Sequence, residues 1–175
     1  MDWLVNFQDI SLLNLSTIKN DILKSNKIKL SDLKLIDLIY FKNKPILSGN
    51  GVYMFFDMNN CIYVGKCSSR SFIERIPDHL DMREIKGWGF ASCARLLQDN
   101  KKVRDHKEAV NYLLNCYSFL INFTNIHDLP KYCYKLEKIF RYIFSPLNEL
   151  SNNIRKTLEA KIVLSNTLLE NLSII

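Results

Sequence analysis

The side chains able to do chemistry fall between residues 51 and 148. Tyr53 and Tyr63 stand near Gly51 and Gly65, and Lys66 follows directly. Arg75 and His79 are four residues apart, so on a helix they share a face. Fixed cations such as Lys66 and Arg75 suit a phosphate whose charge grows in a phosphoryl-transfer transition state. An imidazole beside them can donate to that phosphate or shuttle a proton. Glu137 lies next to the stripe Cys133, Leu136, Phe140, Ile143, whose three-and-four spacing marks the buried face of a helix. A carboxylate at that edge needs a partner. Arg141 supplies an ion pair worth about 0.3–0.5 kcal/mol. The alternative is a divalent cation, because one carboxylate with water and phosphate oxygens suits Mg²⁺. Spacing alone favours the ion pair.

A three-residue turn at Met58–Asn60 would set odd-numbered residues opposite one another, so that Tyr53 and Tyr63 share a sheet face with Gly51 and Gly65. Two phenols then flank a surface without Cβ atoms, where a phosphodiester could approach the main chain. For either half alone, packing tyrosines and turn glycines are the commoner outcome. Pro77 lacks an N–H and is best tolerated in a first turn, which predicts either a helix beginning near Ile76 or an irregular lead-in that carries Arg75. Arg70 is a rival for the phosphate-binding role. Asn148, beyond Pro146, reads from its position as a turn cap. Lys101, Lys102, Arg104 and Lys107 could hold DNA phosphates, and Trp88 and Phe90 could stack on a base. A solvated loop and a buried anchor are the plainer alternatives. His106 and His127 read as surface residues.

The elements that must position these groups follow from pattern. Residues 1–44 carry helically spaced apolar positions, with Ser31 as an N-cap for the last piece. Gly51–Phe56 and Cys61–Gly65 read as a hairpin across Asp57–Asn60, and Tyr117–Phe123 as a third strand. Helical patterns cover Phe72–Ile85, Phe90–Asn100, Lys107–Leu114 and Pro130–Phe144. Ile154, Leu158, Ile162, Leu168, Leu169 and Leu172 suggest one amphipathic C-terminal helix that packs on the domain or on a partner. The expected fold is α+β: a small, mainly antiparallel three-stranded sheet flanked by helices, with helical extensions at 1–44 and 151–175 around a domain at 45–150.

Composition bounds the function only loosely. Among 175 residues, 24 Lys and Arg against 18 Asp and Glu give a net charge of +6, compatible with a polyanion partner and insufficient to establish one. Five cysteines without a CxxC pair argue against a disulfide framework or a zinc cluster. No run approaches the roughly 18–20 apolar residues of a membrane span. The start MDWLVNFQDI lacks the features of a signal peptide. A soluble, cytoplasmic protein with no membrane partner is expected.

Gly51-Val52-Tyr53 followed by Tyr63-Val64-Gly65-Lys66 resembles the GIY-YIG nuclease signature. The likeness continues in order through Arg75 and His79, Glu137 in the last core helix, and Pro146-Leu147-Asn148 beyond it. This resemblance implies a metal-dependent DNA endonuclease with DNA as partner, Tyr53, Tyr63, Lys66, Arg75, His79 and Glu137 as catalytic residues, and Gly51, Gly65 and Asn148 at the substrate. It implies Mg²⁺ or Mn²⁺ on Glu137, which reverses the preference for the ion pair. It also implies a tyrosine (Tyr53, or Tyr63 helped by Lys66) that deprotonates or orients the attacking water. The alternative from another class is a catalytically inactive nucleic-acid- or protein-binding module on the same scaffold. A homodimer through the C-terminal helix is compatible with either.

Overall fold

Val52, Tyr53, Met54, Phe55 and Phe56 are consecutive and all fully buried. A strand apolar on both faces must be covered on both sides, and the rest of the chain supplies the two covers. The computed structural model describes residues 1–46, 49–83, 92–124 and 129–175. Gly87, Trp88, Gly89, Phe90 and His127 therefore lie outside the described residues.

In chain order the elements begin with β1 (Leu4–Asn6), α1 (Phe7–Ile10), α2 (Leu15–Lys24) and β2 (Ile28–Lys29), then a 3₁₀ turn at Leu35–Leu38. A small hairpin of β3 (Tyr40–Phe41) and β4 (Lys44–Pro45) comes next, before the central strands β5 (Asn50–Asp57) and β6 (Asn60–Cys67). Helices α3 (Phe72–Asp78), α4 (Ser92–Asp99) and α5 (His106–Leu114) lead to β7 (Tyr117–Phe123). The chain closes with α6 (Leu129–Phe144), α7 (Asn152–Glu159) and α8 (Leu168–Ile174).

The class is α+β as expected, but the sheet is mixed and has five strands rather than three. Its order is β1-β7-β5-β6, with β2 also on β7. Strand β7 pairs antiparallel with β5, while β1 runs parallel to it and β2 antiparallel along its other edge. Residues 1–44 are thus not a helical extension. They finish the sheet edge, and only α2 is a helix of several turns there. Ser31 caps no helix: its hydroxyl bonds Asp32, and the following 3₁₀ turn starts at Leu35. The C-terminal segment is two short helices rather than one. Leu158, Ile162, Leu168 and Leu172 are buried in the chain's own core while Leu169 is exposed, so most of that apolar stripe packs on the domain itself.

Side-chain alternation divides the core. Val52, Met54, Phe56, Val64, Phe119 and Ile121 pack against α1, α2, α6 and the C-terminal helices. Tyr53, Phe55, Tyr63, Cys67 and Leu120 pack against α3, α4 and α5. The helix stripe Cys133, Leu136, Phe140, Ile143 is buried as its spacing required. Among the described residues, no helix is long and apolar enough to cross a membrane.

The hairpin turn is one residue tighter than expected, since Asp57 pairs with Asn60. A bulge between Phe55 and Phe56 then shifts the register back, giving Phe55↔Tyr63, Tyr53↔Gly65 and Gly51↔Cys67. An extra residue on one strand of a pair does this at the cost of a local kink. The shared face of the two tyrosines and two glycines therefore survives a different turn.

Candidate active site

Strand β6 brings Tyr63, Gly65, Lys66 and Cys67 to the mouth of a cleft of about 250 Å³, continued by Ser68, Ser69, Arg70, Arg75 and Glu137. Glu137 comes from α6, which packs against β6. Arg75 comes from α3. That helix starts at Ser71, whose backbone N–H and hydroxyl both donate to Glu74 Oε2 at 2.7 Å, the reciprocal half of a capping box. Pro77 lies in the last turn rather than the first, and His79 is the C-cap. Arg75 is consequently helical, which removes the expected start near Ile76.

Two carboxylates, Glu137 and Asp78, organise the charge. Lys66 Nζ donates to Glu137 Oε2 at 2.6 Å, whereas Arg141 Nη1 stays 3.9 Å from Oε1. The expected i,i+4 partner is therefore the weaker one, and a lysine 71 positions away in sequence is the stronger. Arg141 is occupied elsewhere, donating to the Asn148 carbonyl at 2.5 Å and to that of Glu149. Asp78 Oδ2 sits 2.8 Å from Arg70 Nη1 and 3.8 Å from Arg75 Nη1. This oxygen is buried and without good hydrogen-bond geometry, so it holds the two guanidinium groups by charge. Arg70 and Arg75, the rivals for one role, thus stand together.

The other candidates lie beneath or behind the cleft. Tyr53 is fully buried, and its hydroxyl is 2.7 Å from His79 Nε2. Neither Tyr53 nor His79 lines the cleft, so of the two tyrosines Tyr63 is the one in contact with it. The Tyr63 hydroxyl is 3.2 Å from Ser92 Oγ. Burial pushes both phenols up, Tyr53 well above 10, with the neighbouring Tyr63 adding to the rise at Tyr53. Asn148 closes the back: its Oδ1 accepts from Val64 N–H at 3.1 Å and its Nδ2 donates to Val64 C=O at 2.6 Å. Strand β6 is a sheet edge, and a side-chain amide offering one donor and one acceptor stands in for the missing strand. Asn148 thus ties the segment after α6 to strand β6.

The glycines serve the protein interior. A Cβ on Gly65 would lie 2.3 Å from Tyr53 Cζ, and one on Gly51 would lie 1.8 Å from Ile121 O. The Cβ sides of both glycines, expected to lie open to a phosphate, are filled, while Gly65 still lines the cleft. The space at Gly65 holds the Tyr53 ring, and that at Gly51 holds the β7 backbone.

His79 carries a pH prediction. Burial, then the nearby Arg75 charge, lower its pKa from 6.5 to about 3. The unfolded chain takes up this proton below about pH 6.5, and the folded chain excludes it until about pH 3, so stability falls as pH drops through that window. At 1.36 kcal/mol per unit, the loss reaches about 3 kcal/mol near pH 4. Urea unfolding at pH 7 and pH 4 should show a loss smaller by roughly that amount in His79→Gln. Equal losses would mean that the imidazole meets solvent.

Sequence reasoning missed Asp78 and Ser92. The three-residue step from Arg75 to Asp78 on one helix was a usable signal; Ser92 has none, because it reaches Tyr63 only through tertiary packing. The basic run at 101–107 is placed apart: Arg104 pairs with Glu108, and His106 Nε2 is 2.7 Å from the Asp81 carbonyl in a contact that holds α5 to the segment after α3. Among the described residues no group of three or more His, Cys, Asp or Glu could cage a metal. Glu137 offers a single carboxylate facing the cleft, which fits an ion held mainly by water and phosphate oxygens. No protein-family model matches the chain, and no curated protein or solved structure matches it.

Proposed function

We propose that this chain is a metal-dependent endonuclease of the GIY-YIG type that hydrolyses phosphodiester bonds in DNA, with its β6-β5-β7 core and surrounding helices as a GIY-YIG-like domain. The observation that carries this reading is the convergence of Tyr63, Lys66, Arg70, Arg75 and Glu137 on one cleft. They come from a strand, a loop and two helices, and Tyr63, Lys66, Arg75 and Glu137 follow the order of the sequence signature, with Arg70 beside them. Arg70 and Arg75, held by Asp78, bind the scissile phosphate. Tyr63, a neutral phenol at physiological pH, donates to a phosphate oxygen or accepts from the attacking water. Glu137 would hold Mg²⁺ or Mn²⁺, which when bound supplies Lewis-acid stabilisation of the leaving oxygen. Tyr53 and His79 act from below by fixing the floor on which Gly65 and Tyr63 sit.

One observation favours a second reading. Lys66 already neutralises Glu137, the one carboxylate among the described residues that line the cleft, an arrangement suited to a module that binds an anion without metal. A supercoiled plasmid distinguishes the two. With Mg²⁺ or Mn²⁺ the nuclease converts it to nicked and linear forms, and EDTA abolishes the conversion. Binding without cleavage of linear, branched or damaged DNA would support the module, and cleavage that survives EDTA would remove the metal from the proposal.

A further inference from the structure

The 3₁₀ turn and the β3–β4 hairpin form a surface that the cleft does not use. Leu35, Ile36, Ile39 and Tyr40 are 60%, 54%, 41% and 50% exposed, four large apolar side chains within six residues. Contiguous exposed apolar surface on a monomer usually marks an interaction site. The back of the element is anchored: Leu38 is buried, and Phe41 meets the edge of the Trp3 ring at 5.1 Å. Its tip is a defined turn, with Lys42 and Asn43 at φ 49° and 62°, the left-handed pair that a two-residue hairpin demands. The element is a shaped projection.

Charge says what it meets. Lys34, Lys42 and Lys44 are exposed around the apolar front. Asp2 pairs with Lys42 at 2.5 Å, and Asp37 is turned back to accept from the Lys34 N–H at 2.9 Å. Among the described residues, the Lys34 and Lys44 ammonium groups have no carboxylate partner. An apolar wedge flanked in sequence by the uncompensated Lys34 and Lys44 is suited to a duplex, whose phosphates take the cations while the apolar side chains press into the minor groove. The 3₁₀ turn packs on α3, the helix that carries Arg75. A helix is about 10–12 Å across, well within one duplex turn of about 34 Å. We infer that residues 34–45 are a second DNA contact that grips duplex beside the cleft through Lys34, Lys44 and the Ile36–Tyr40 wedge. This inference rests on the nuclease reading.

The test is fluorescence anisotropy of a 30-bp duplex in EDTA across a KCl series, on the wild type, on Lys34→Glu with Lys44→Glu, and on Ile36→Ser, with plasmid cleavage in Mg²⁺ measured alongside. Each lost phosphate contact lowers the slope of log K against log[salt] by about 0.9, so the double lysine variant should show a slope shallower by about 2. Its affinity should fall at least about tenfold, while its cleavage at saturating enzyme stays at the wild-type rate. Ile36→Ser should weaken binding without changing the slope. A wild type that cuts DNA beside a lysine variant with unchanged slope and affinity overturns this inference and leaves the nuclease reading standing. A wild type that neither binds nor cuts overturns both. A dimer in sedimentation that Ile36→Ser converts to monomer, with no change in DNA binding, assigns the surface to a second copy and also overturns it.

Discussion

Glu137→Gln should lower the single-turnover rate of Mg²⁺-dependent plasmid nicking by about 10²–10³-fold, the range for removing one fixed electrostatic stabiliser from an active site. The same change should tighten binding of uncut duplex in EDTA. Both effects follow from one contact. Lys66 Nζ lies 2.6 Å from Glu137 Oε2, and the amide removes its counter-charge without changing the shape of the side chain. On the nuclease reading the freed ammonium would join Arg70 and Arg75 in facing a bound phosphate, so the ground-state complex would gain while the position proposed for a metal would be lost. Opposite movements of affinity and rate separate this role from simple damage to the fold, which would lower both. Nicking at the wild-type rate, or metal dependence identical to wild type, would leave Glu137 as half of a surface ion pair and favour the binding module. The affinity shift should shrink as salt is raised, because a partly exposed charge is screened over about 10 Å at 0.1 M.

What could be read in the sequence depended on how local its cause was. Strands β5, β6 and β7 and helix α6 were legible because each carries its own signal: continuous or alternating apolar residues, turn chemistry at 57–60, and a clean three-and-four stripe. Strands β1 and β2 are three and two residues long and exist because β7 offers an open edge, so the helical spacing of residues 1–44 outweighed them. Pro77 was misplaced in its helix because the capping box from Ser71 to Glu74, six and three residues earlier, sets the helix start. The candidate cleft was legible as a set of residue types but not as a set of partners. Glu137 bonds a lysine on strand β6 rather than Arg141 on its own helix. Tyr53 and Tyr63 look alike in the signature, yet one is sealed under Gly65 with His79 and the other reaches the cleft. Such distinctions arise from layers packed against each other, and short-range spacing carries no trace of them.

Gly51→Ala is expected to have the largest effect on stability. Its Cβ would lie 1.8 Å from Ile121 O, 2.9 Å from Ile121 C and 3.0 Å from Phe72 Cζ. A clash with the tip of a side chain can relax, but here the obstacle is the backbone of β7. That backbone is held by the register Asn50↔Phe123, Gly51↔Asn122 and Val52↔Ile121, and Phe72 is itself fully buried. The φ of +155° at Gly51 adds a conformation that other residues avoid. Ordinary overpacking costs about 1–3 kcal/mol; a clash with fixed backbone between two central strands belongs above that, on the order of 4 kcal/mol. At about 2–4 °C per kcal/mol the melting temperature should fall by about 8–16 °C, and a chain with little reserve would not fold at all. Differential scanning calorimetry checks this, and a shift under about 2 °C would show that β5 and β7 are not packed as described. The result also bears on function. Activity per folded molecule that survives in the variant would mean that this glycine serves the packing of β5 on β7, whereas a loss beyond the folded fraction would return a substrate contact to Gly51.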